Sequence, residues 1–143
     1  MKYILKNSTP EVWEKLIQTC KYFFSKNPVF PVGALSSRCT DGKWDGDCGI
    51  VNTNQPIVKL WLYKSLDGDF PATLTSLIPK LSKCSVKHLL IRGQNLNWEE
   101  YQFLTVSGLV TLFKFIGSTV KYSDGKIVTF DKLLENLKNV KNL

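Results

Sequence analysis

The side chains that could do nucleophilic or metal chemistry are four cysteines and a single histidine. The cysteines are Cys20, Cys39, Cys48 and Cys84, and the histidine is His88. They include no C-x-x-C pair, so the ligand spacing of a structural zinc site is missing. Either Cys20 or Cys84 could act as a nucleophile beside His88, but neither has the local signature of a cysteine enzyme. Cys39 and Cys48 could close a disulfide in an oxidising compartment; the missing signal peptide favours free thiols.

Clustered carboxylates provide two further candidate sites. Asp41, Asp45 and Asp47 lie in a stretch rich in Gly and Asp, but the alternate spacing and closing glutamate of a calcium loop are absent. Glu99 and Glu100 are adjacent, and helix capping accounts for them. Phosphate-binding loops, nucleophile elbows and zinc-peptidase motifs do not occur. The sequence therefore predicts a protein that is not an enzyme and uses no cofactor and no metal.

The charge pattern indicates a solvated surface. The formal net charge is +7, and of the 19 basic residues only Arg38 and Arg92 are arginines. Nucleic-acid-binding proteins usually cluster their basic residues and use arginine for bidentate contacts, whereas these lysines are spread along the chain. Nucleic-acid binding is therefore the alternative function rather than the preferred one. No apolar run approaches the ~20 residues of a membrane span, so we expect a cytoplasmic or nuclear protein with no membrane partner.

One short pattern, apolar-x-x-apolar-x-apolar-x-Gly, recurs in the second half of the chain. Complete copies start at Val86 and Val110, a partial copy starts at Ile57, and a truncated copy starts at Val140. The starts are 29, 24 and 30 residues apart. Strands that recur every 20 to 30 residues or so are typical of leucine-rich-repeat stacks. The predicted fold class is α/β, a leucine-rich-repeat-like stack of short parallel strands alternating with helices behind an N-terminal capping helix.

The chain divides into three predicted parts. Residues 1–35 form an N-terminal helical cap, because Thr9 and Pro10 begin a helix whose apolar stripe continues to about residue 25. Residues 36–56 form an irregular surface loop that Trp44 anchors. Residues 57–143 form the repeat-like module, whose last repeat is truncated.

The connections between the predicted strands carry signals of their own. Pro79 shortens or breaks a helix over residues 71–81. Asn97 caps a short helix, with Glu100 completing a capping box. Asp124-Gly125 predicts a hairpin, and a last helix starts at Thr129 or the next residue.

The pattern also predicts an exposed face. If the first, fourth and sixth residues of each copy point inward, the third, fifth and seventh point outward together. Their mixture of aromatic, basic and aliphatic side chains is enriched at binding hot spots. We therefore predict a protein-binding face formed by Lys59, Trp61, Tyr63, His88, Leu90, Arg92, Leu112, Lys114 and Ile116. The alternative is that the 36–56 loop, or a neighbour missing from this sequence, covers some of these residues.

Four stretches and a fifth that follows them resemble nematode F-box-like proteins with degenerate leucine-rich repeats: residues 86–93, 97–104, 107–110 and 122–128, followed by 133–137. Pro10-Glu11-Val12, followed by Leu16-Ile17, resembles the opening of an F-box. The resemblance implies a substrate-recognition role in a ubiquitin ligase, where an F-box docks a Skp1-type adaptor of the cullin and the repeats hold the substrate.

The sequence departs from that family in two ways. A complete F-box is absent, because one helix cannot supply it. The positions of the repeat asparagine ladder hold Ser65, Gln94 and Ser118 instead of asparagine. The predicted function is accordingly a non-catalytic protein–protein interaction module, with the ligase role as its narrower form.

Overall fold

Strand β4 (Lys59–Asp69) runs through the middle of a mostly parallel sheet. The computed structural model describes residues 8–19, 28–37, 43–47, 49–55, 59–70 and 72–141. Strand β1 (Val29–Ser37) pairs with β4 in parallel on one side. On the other side, β5 (Leu81–Cys84) pairs with the first half of β4 and β6 (His88–Arg92) pairs with the second half, both in parallel. Strand β8 (Leu112–Ile116) continues the parallel series beside β6.

A hairpin extends the sheet beyond β1. Strand β2 (Lys43–Gly46) pairs with β1 in antiparallel orientation, and β3 (Gly49–Asn52) pairs with β2. The resulting order is β3-β2-β1-β4-β6-β8. The prediction of an α/β protein with parallel strands is confirmed at that level, although the sheet dominates and the helices are few.

The helices are short, and several stand between parallel strands. They are α1 (Pro10–Thr19), α2 (Leu74–Leu77), α3 (Trp98–Thr105) and α4 (Phe130–Leu134), and a 3₁₀ turn (Ile78–Lys80) follows α2. Two strands, β7 (Asn95–Asn97) and β9 (Thr119–Lys121), form a second parallel sheet. Among the described residues, no helix is long and apolar enough to cross a membrane.

Most predicted connections are confirmed. The 71–81 helix is short and breaks into a 3₁₀ turn at Pro79, whose ring removes a backbone donor. The capping box at Asn97 is present in full. The hairpin turn closes through a 2.9 Å bond from the Tyr122 N–H to the Lys126 carbonyl, with Gly125 at φ +86°. Residues 20–25 of the predicted N-terminal helix lie outside the described residues.

The main core lies on one face of the sheet, where the inward positions of the pattern are confirmed. Val86, Leu89 and Ile91 are fully buried, as are Val110 and Phe113. Alternation along the strand then turns the intervening residues to the other face.

The register predicted for β4 is wrong. The pattern copy at Ile57 predicts that Lys59 aligns with His88, whereas Ser65 pairs with His88 in the structure. The copy that does align with Val86 starts at Tyr63, and its sixth residue is Gly68, where the pattern expects an apolar side chain. The match to the pattern is therefore difficult to recognise in the sequence. A Cβ on Gly68 would lie 2.8 Å from the Cδ2 atom of Leu74, which explains why a side chain is missing there.

Strands lie in both the predicted cap and the predicted loop. Residues 29–37 form β1, which continues past residue 35, and residues 43–52 contain β2 and β3. Trp44 is fully buried in the main core and anchors its stretch of chain to the sheet. Gly and Asp favour turns, but a four-residue strand needs only one or two inward side chains, which composition does not reveal.

Backbone hydrogen bonds link the starts of successive strand segments. The Lys87 N–H donates to the Lys64 carbonyl at 2.9 Å, and the Thr111 N–H donates to the Lys87 carbonyl at 2.7 Å. The Lys141 N–H donates to the Thr111 carbonyl at 2.8 Å. This last bond lies where the fourth strand is predicted from Val140, but no strand is assigned at 140–141, and residues 142–143 lie outside the described residues.

Candidate protein-binding face

The three parallel strands β4, β6 and β8 present a common face opposite the main core. Their registers align outward-facing residues from neighbouring strands into rows. The rows are Ser65, His88 and Leu112; Asp67, Leu90 and Lys114; Asp69, Arg92 and Ile116. Six of the nine predicted binding residues thus lie together, and the other three are replaced by the β4 residues of this register.

An ion pair crosses the face between β4 and β6. The Arg92 Nη2 atom donates to both carboxylate oxygens of Asp67 at 2.7 Å, and Nη1 lies 4.0 Å from an oxygen of Asp69. The hydrogen bond that Arg92 donates to the Asp67 carboxylate, and then the charge of that carboxylate, raise the pKa of the Arg92 guanidinium. The pair leaves this corner of the face nearly neutral, with a fixed, planar donor group.

The β8 side of the face is apolar and cationic. His88 and Lys114 are exposed, Leu90 is half-buried, and Ile116 is 56% exposed. A cavity of about 310 Å³ lies beside this edge, lined by Phe113, Lys114, Phe115, Ile116 and Phe130. Exposed aliphatic and aromatic side chains next to a cavity provide the anchor pockets found at protein interfaces.

Helix α1 covers the other end of the same face. Trp13 is fully buried and its Nε1 donates to the Val29 carbonyl at 2.8 Å. It packs with Trp61, while Leu16 and Ile17 pack at the margin of this small second core. The helix therefore lies on the sheet and shields the first half of β4 from solvent.

The prediction that Trp61 is an exposed binding residue is wrong. Trp61 is 2% exposed, and its Nε1 donates to the Ser85 hydroxyl at 3.0 Å. The Nζ atom of Lys83 lies 4.4 Å from the centre of the indole ring, a cation–π contact. Burial raises the pKa of Tyr63, aided by the charge of Glu14.

Lys59 is exposed, but its Nζ atom donates to the Pro79 carbonyl, away from the rows of the face. Part of the predicted surface is thus covered by α1, a cover that the sequence did not indicate.

Sequence reasoning missed Ser65, Asp67 and Asp69. A signal for them exists in the spacing: a copy starting at Tyr63 lies 23 residues before Val86, close to the 24 that separate the next two copies. The copy starting at Ile57 has more apolar matches and a less regular spacing. Regular spacing is the better guide here, because it reflects the geometry of stacking.

The predicted cysteine–histidine combinations do not form a site in the described residues. Cys84 is buried in the main core, where its Sγ lies 3.8 Å from the Leu104 carbonyl, whereas His88 is exposed on the opposite face. Burial raises the pKa of the Cys84 thiol to about 12, so it is protonated and inert at neutral pH. Cys20, Cys39 and Cys48 lie outside the described residues.

Comparison of the chain with protein-family models, curated proteins and solved structures finds no match. Function is therefore inferred from the face itself. Its features are three aligned rows, one internal ion pair and an apolar edge with a cavity.

Proposed function

We propose that this chain is a non-catalytic protein-interaction module whose partner docks on the open face of β4, β6 and β8. The observation that carries the proposal is the alignment of exposed and half-buried side chains from three parallel strands into rows. Interface cores are enriched in arginine and depleted in unpaired charge, and on this face Arg92 is paired with Asp67 beside the aliphatic side chains of Leu90 and Ile116. Regular strands also hold such groups more rigidly than loops do.

We further propose that the module is a leucine-rich-repeat-like stack. The bonds between Lys64, Lys87, Thr111 and Lys141 recur at intervals of 23, 24 and 30 residues. Two of the ladder positions also hydrogen-bond between neighbouring segments. The Gln94 amide bonds the backbone of Leu74 and Ala72, and the Ser118 hydroxyl accepts from the Gln94 N–H at 3.0 Å. Gln94 and Ser118 thus join neighbouring segments at positions where leucine-rich repeats usually have asparagine, and these bonds support the proposal of a repeat-like stack.

A protein partner is preferred over nucleic acid because of the carboxylates. Asp67 and Asp69 stand in the rows of the face, and Arg92 is already engaged by Asp67. A phosphate approaching this corner would meet a guanidinium already neutralised by Asp67, and beside it a second carboxylate, that of Asp69. Non-specific binding of nucleic acid remains the alternative that the experiment below also tests.

The narrower proposal is that the face receives the substrate of a cullin-type ubiquitin ligase. In that case the Skp1-type adaptor needs a surface other than the apolar stripe of α1, because Trp13, Leu16 and Ile17 pack against the sheet. Val12, at 47% exposure, is the large apolar residue of α1 that remains available.

The test is an affinity pull-down read by quantitative mass spectrometry with a matched pair of variants. The face variant is Lys114→Glu with Ile116→Asp. The control is Lys126→Glu with Ile127→Asp, which makes the same chemical changes at an exposed lysine and a 63% exposed isoleucine in the hairpin turn. We expect wild type and control to recover a common partner, and the face variant to lose it by roughly tenfold or more.

Equal recovery by all three proteins would contradict a role for the face. Recovery of the adaptor and cullin together would support the ligase form of the proposal. A set of proteins that disappears after nuclease treatment would instead favour nucleic-acid binding. Melting temperatures of both variants establish that the loss does not come from unfolding.

A further inference from the structure

A groove with a basic rim lies at the end of the face where the strands begin. It has a volume of about 550 Å³. The side chains lining it include Lys87, Leu109, Thr111, Lys138, Val140 and Lys141. No carboxylate lines the groove in the part of the chain that the structure describes.

The hydrogen bonds between strand starts place two of these lysines. Thr111 is bonded through its backbone to Lys87 on one side and to Lys141 on the other. Two steps of about 4.8 Å each separate the backbones of these two lysines by about 10 Å. Lys138, from the turn that follows α4, supplies a third cation to the same groove. Two of the three lysines are therefore placed by backbone hydrogen bonds, and all three line one groove.

The aliphatic side chains that line the groove favour a peptide over single-stranded nucleic acid as its ligand. Leu109 is 48% exposed, and Val140 is half-buried against the main core. Single-stranded nucleic acid is usually bound through aromatic rings that stack on the bases and through arginine, and the residues lining this groove include neither. A groove lined by aliphatic side chains and lysines instead matches an apolar side chain flanked by carboxylates.

The spacing of two lysine backbones also suits an extended peptide. In the polyproline II conformation, which has three residues per turn and a rise of about 3.1 Å per residue, residues three apart lie on the same side and about 9 Å apart. This is close to the separation of about 10 Å between the Lys87 and Lys141 backbones. Lys87 and Thr111 immediately precede His88 and Leu112, which form the first row of the face. The groove therefore adjoins the face, and one partner can contact both.

We propose that this groove binds an acidic, extended segment of the partner, with carboxylates three residues apart and an aliphatic side chain between them. The proposal deepens, and rests on, the protein-interaction function of the adjoining face. It assigns Lys87, Lys138 and Lys141 to recognition of the carboxylates, and Leu109 with Val140 to contact with the aliphatic side chain.

The test is fluorescence anisotropy with the full chain and a defined probe. The probe is a short fluorescein-labelled peptide in which glutamates three positions apart flank leucine. Its control has glutamine in place of each glutamate. The groove variant is Lys87→Glu with Lys141→Glu, and the matched variant is Lys43→Glu with Lys126→Glu, which changes net charge equally at two exposed lysines outside the groove.

At low salt we expect the groove variant to bind the glutamate peptide at least roughly tenfold more weakly than the matched variant does. The glutamine peptide should bind all the proteins weakly. Equal losses in the two variants would overturn the proposal, because binding would then follow net charge alone. A labelled oligouridylate that binds wild type more tightly than the peptide, and is lost only in the groove variant, would overturn it in favour of nucleic acid.

The pull-down tests the face separately. Because the peptide assay uses a defined probe, failure of the groove to bind it leaves the outcome for Lys114 and Ile116 unchanged. Conversely, a face variant that recovers every partner contradicts the proposed function even if the groove binds acidic peptides.

Discussion

At the scale of single residues, Gln94 shows how one side chain bonds three backbone groups and ties the 72–74 segment to its own. Its Oε1 accepts from the Leu74 N–H at 3.0 Å, and its Nε2 donates to the carbonyls of Ala72 at 2.9 Å and Arg92 at 3.2 Å. The residue is 3% exposed, so water cannot replace these bonds freely.

We predict that Gln94→Leu lowers the free energy of unfolding by about 2–4 kcal/mol, since it leaves a buried donor and acceptor unpaired. Urea denaturation measures the change. Gln102→Leu, at an exposed position of α3, is the control and should change stability by less than about 0.5 kcal/mol. Similar effects of the two substitutions would show that the bonds made by Gln94 contribute little.

Cys84 gives a residue-scale prediction for pH. The unfolded thiol ionises near its ordinary pKa of 9.0, whereas burial raises the pKa of the folded thiol to about 12. Between those values the folded state holds the extra proton, so stability falls as pH rises. Tyr101, whose pKa is also raised by burial, acts in the same direction.

Replacing the thiol isolates its share of this pH dependence. Between pH 8.5 and 10.5, the wild-type protein should lose about 2 kcal/mol more stability than Cys84→Ala does. Urea denaturation at a series of pH values gives the two slopes. Parallel slopes would mean that the folded thiol ionises as readily as the unfolded one.

At the scale of elements, α3 depends on the contacts at its first turn. The Glu100 N–H donates to Asn97 Oδ1 at 2.8 Å, and the Asn97 N–H donates back to Glu100 Oε2 at 3.0 Å. Asn97→Ala should lower the free energy of unfolding by about 1 kcal/mol, because it leaves the Glu100 N–H at the start of the helix without its side-chain acceptor. Thermal melting beside Gln102→Ala, which keeps the cap, is the measurement. Equal melting temperatures of the two variants would show that the capping box does not stabilise the protein.

Local signals predicted the elements well where the chemistry is local. The capping box at Asn97, the turn at Gly125 and the break at Pro79 each depend on a few adjacent residues, and all three are present. Burial of Leu89 and Phe113 follows from strand alternation in the same way. The β2–β3 hairpin was missed because its inward residues are few and its composition is that of a loop.

The candidate face was harder to predict because register and cover are tertiary properties. The register of β4 depends on Gly68, whose missing side chain makes room for Leu74. The burial of Trp61 depends on α1, which comes from a distant part of the chain. Residues on β6 and β8 were placed together correctly, since their two pattern copies are complete.

At the scale of the whole molecule, the protection of backbone amides against hydrogen exchange should differ between the inner and outer strands of the sheet. Strand β6 is paired on both sides and its core residues are fully buried, whereas β3 is an outer strand with Ile50 58% exposed. We predict that amides of β6 exchange with deuterium at least roughly a hundredfold more slowly than those of β3. Hydrogen exchange read by NMR tests this, and uniform protection would indicate that the sheet opens only as one unit.

The turn at residues 122–127 has a consequence for how the chain can vary in length. The interval from Thr111 to Lys141 is six residues longer than the preceding one, and the backbone bond between these residues still forms. Ser123 to Ile127 are all exposed, so they extend away from the packed strands. The added length is thus absorbed at the periphery, which makes Asp124-Gly125 a natural place to graft an epitope or a reporter without altering the spacing of the strands.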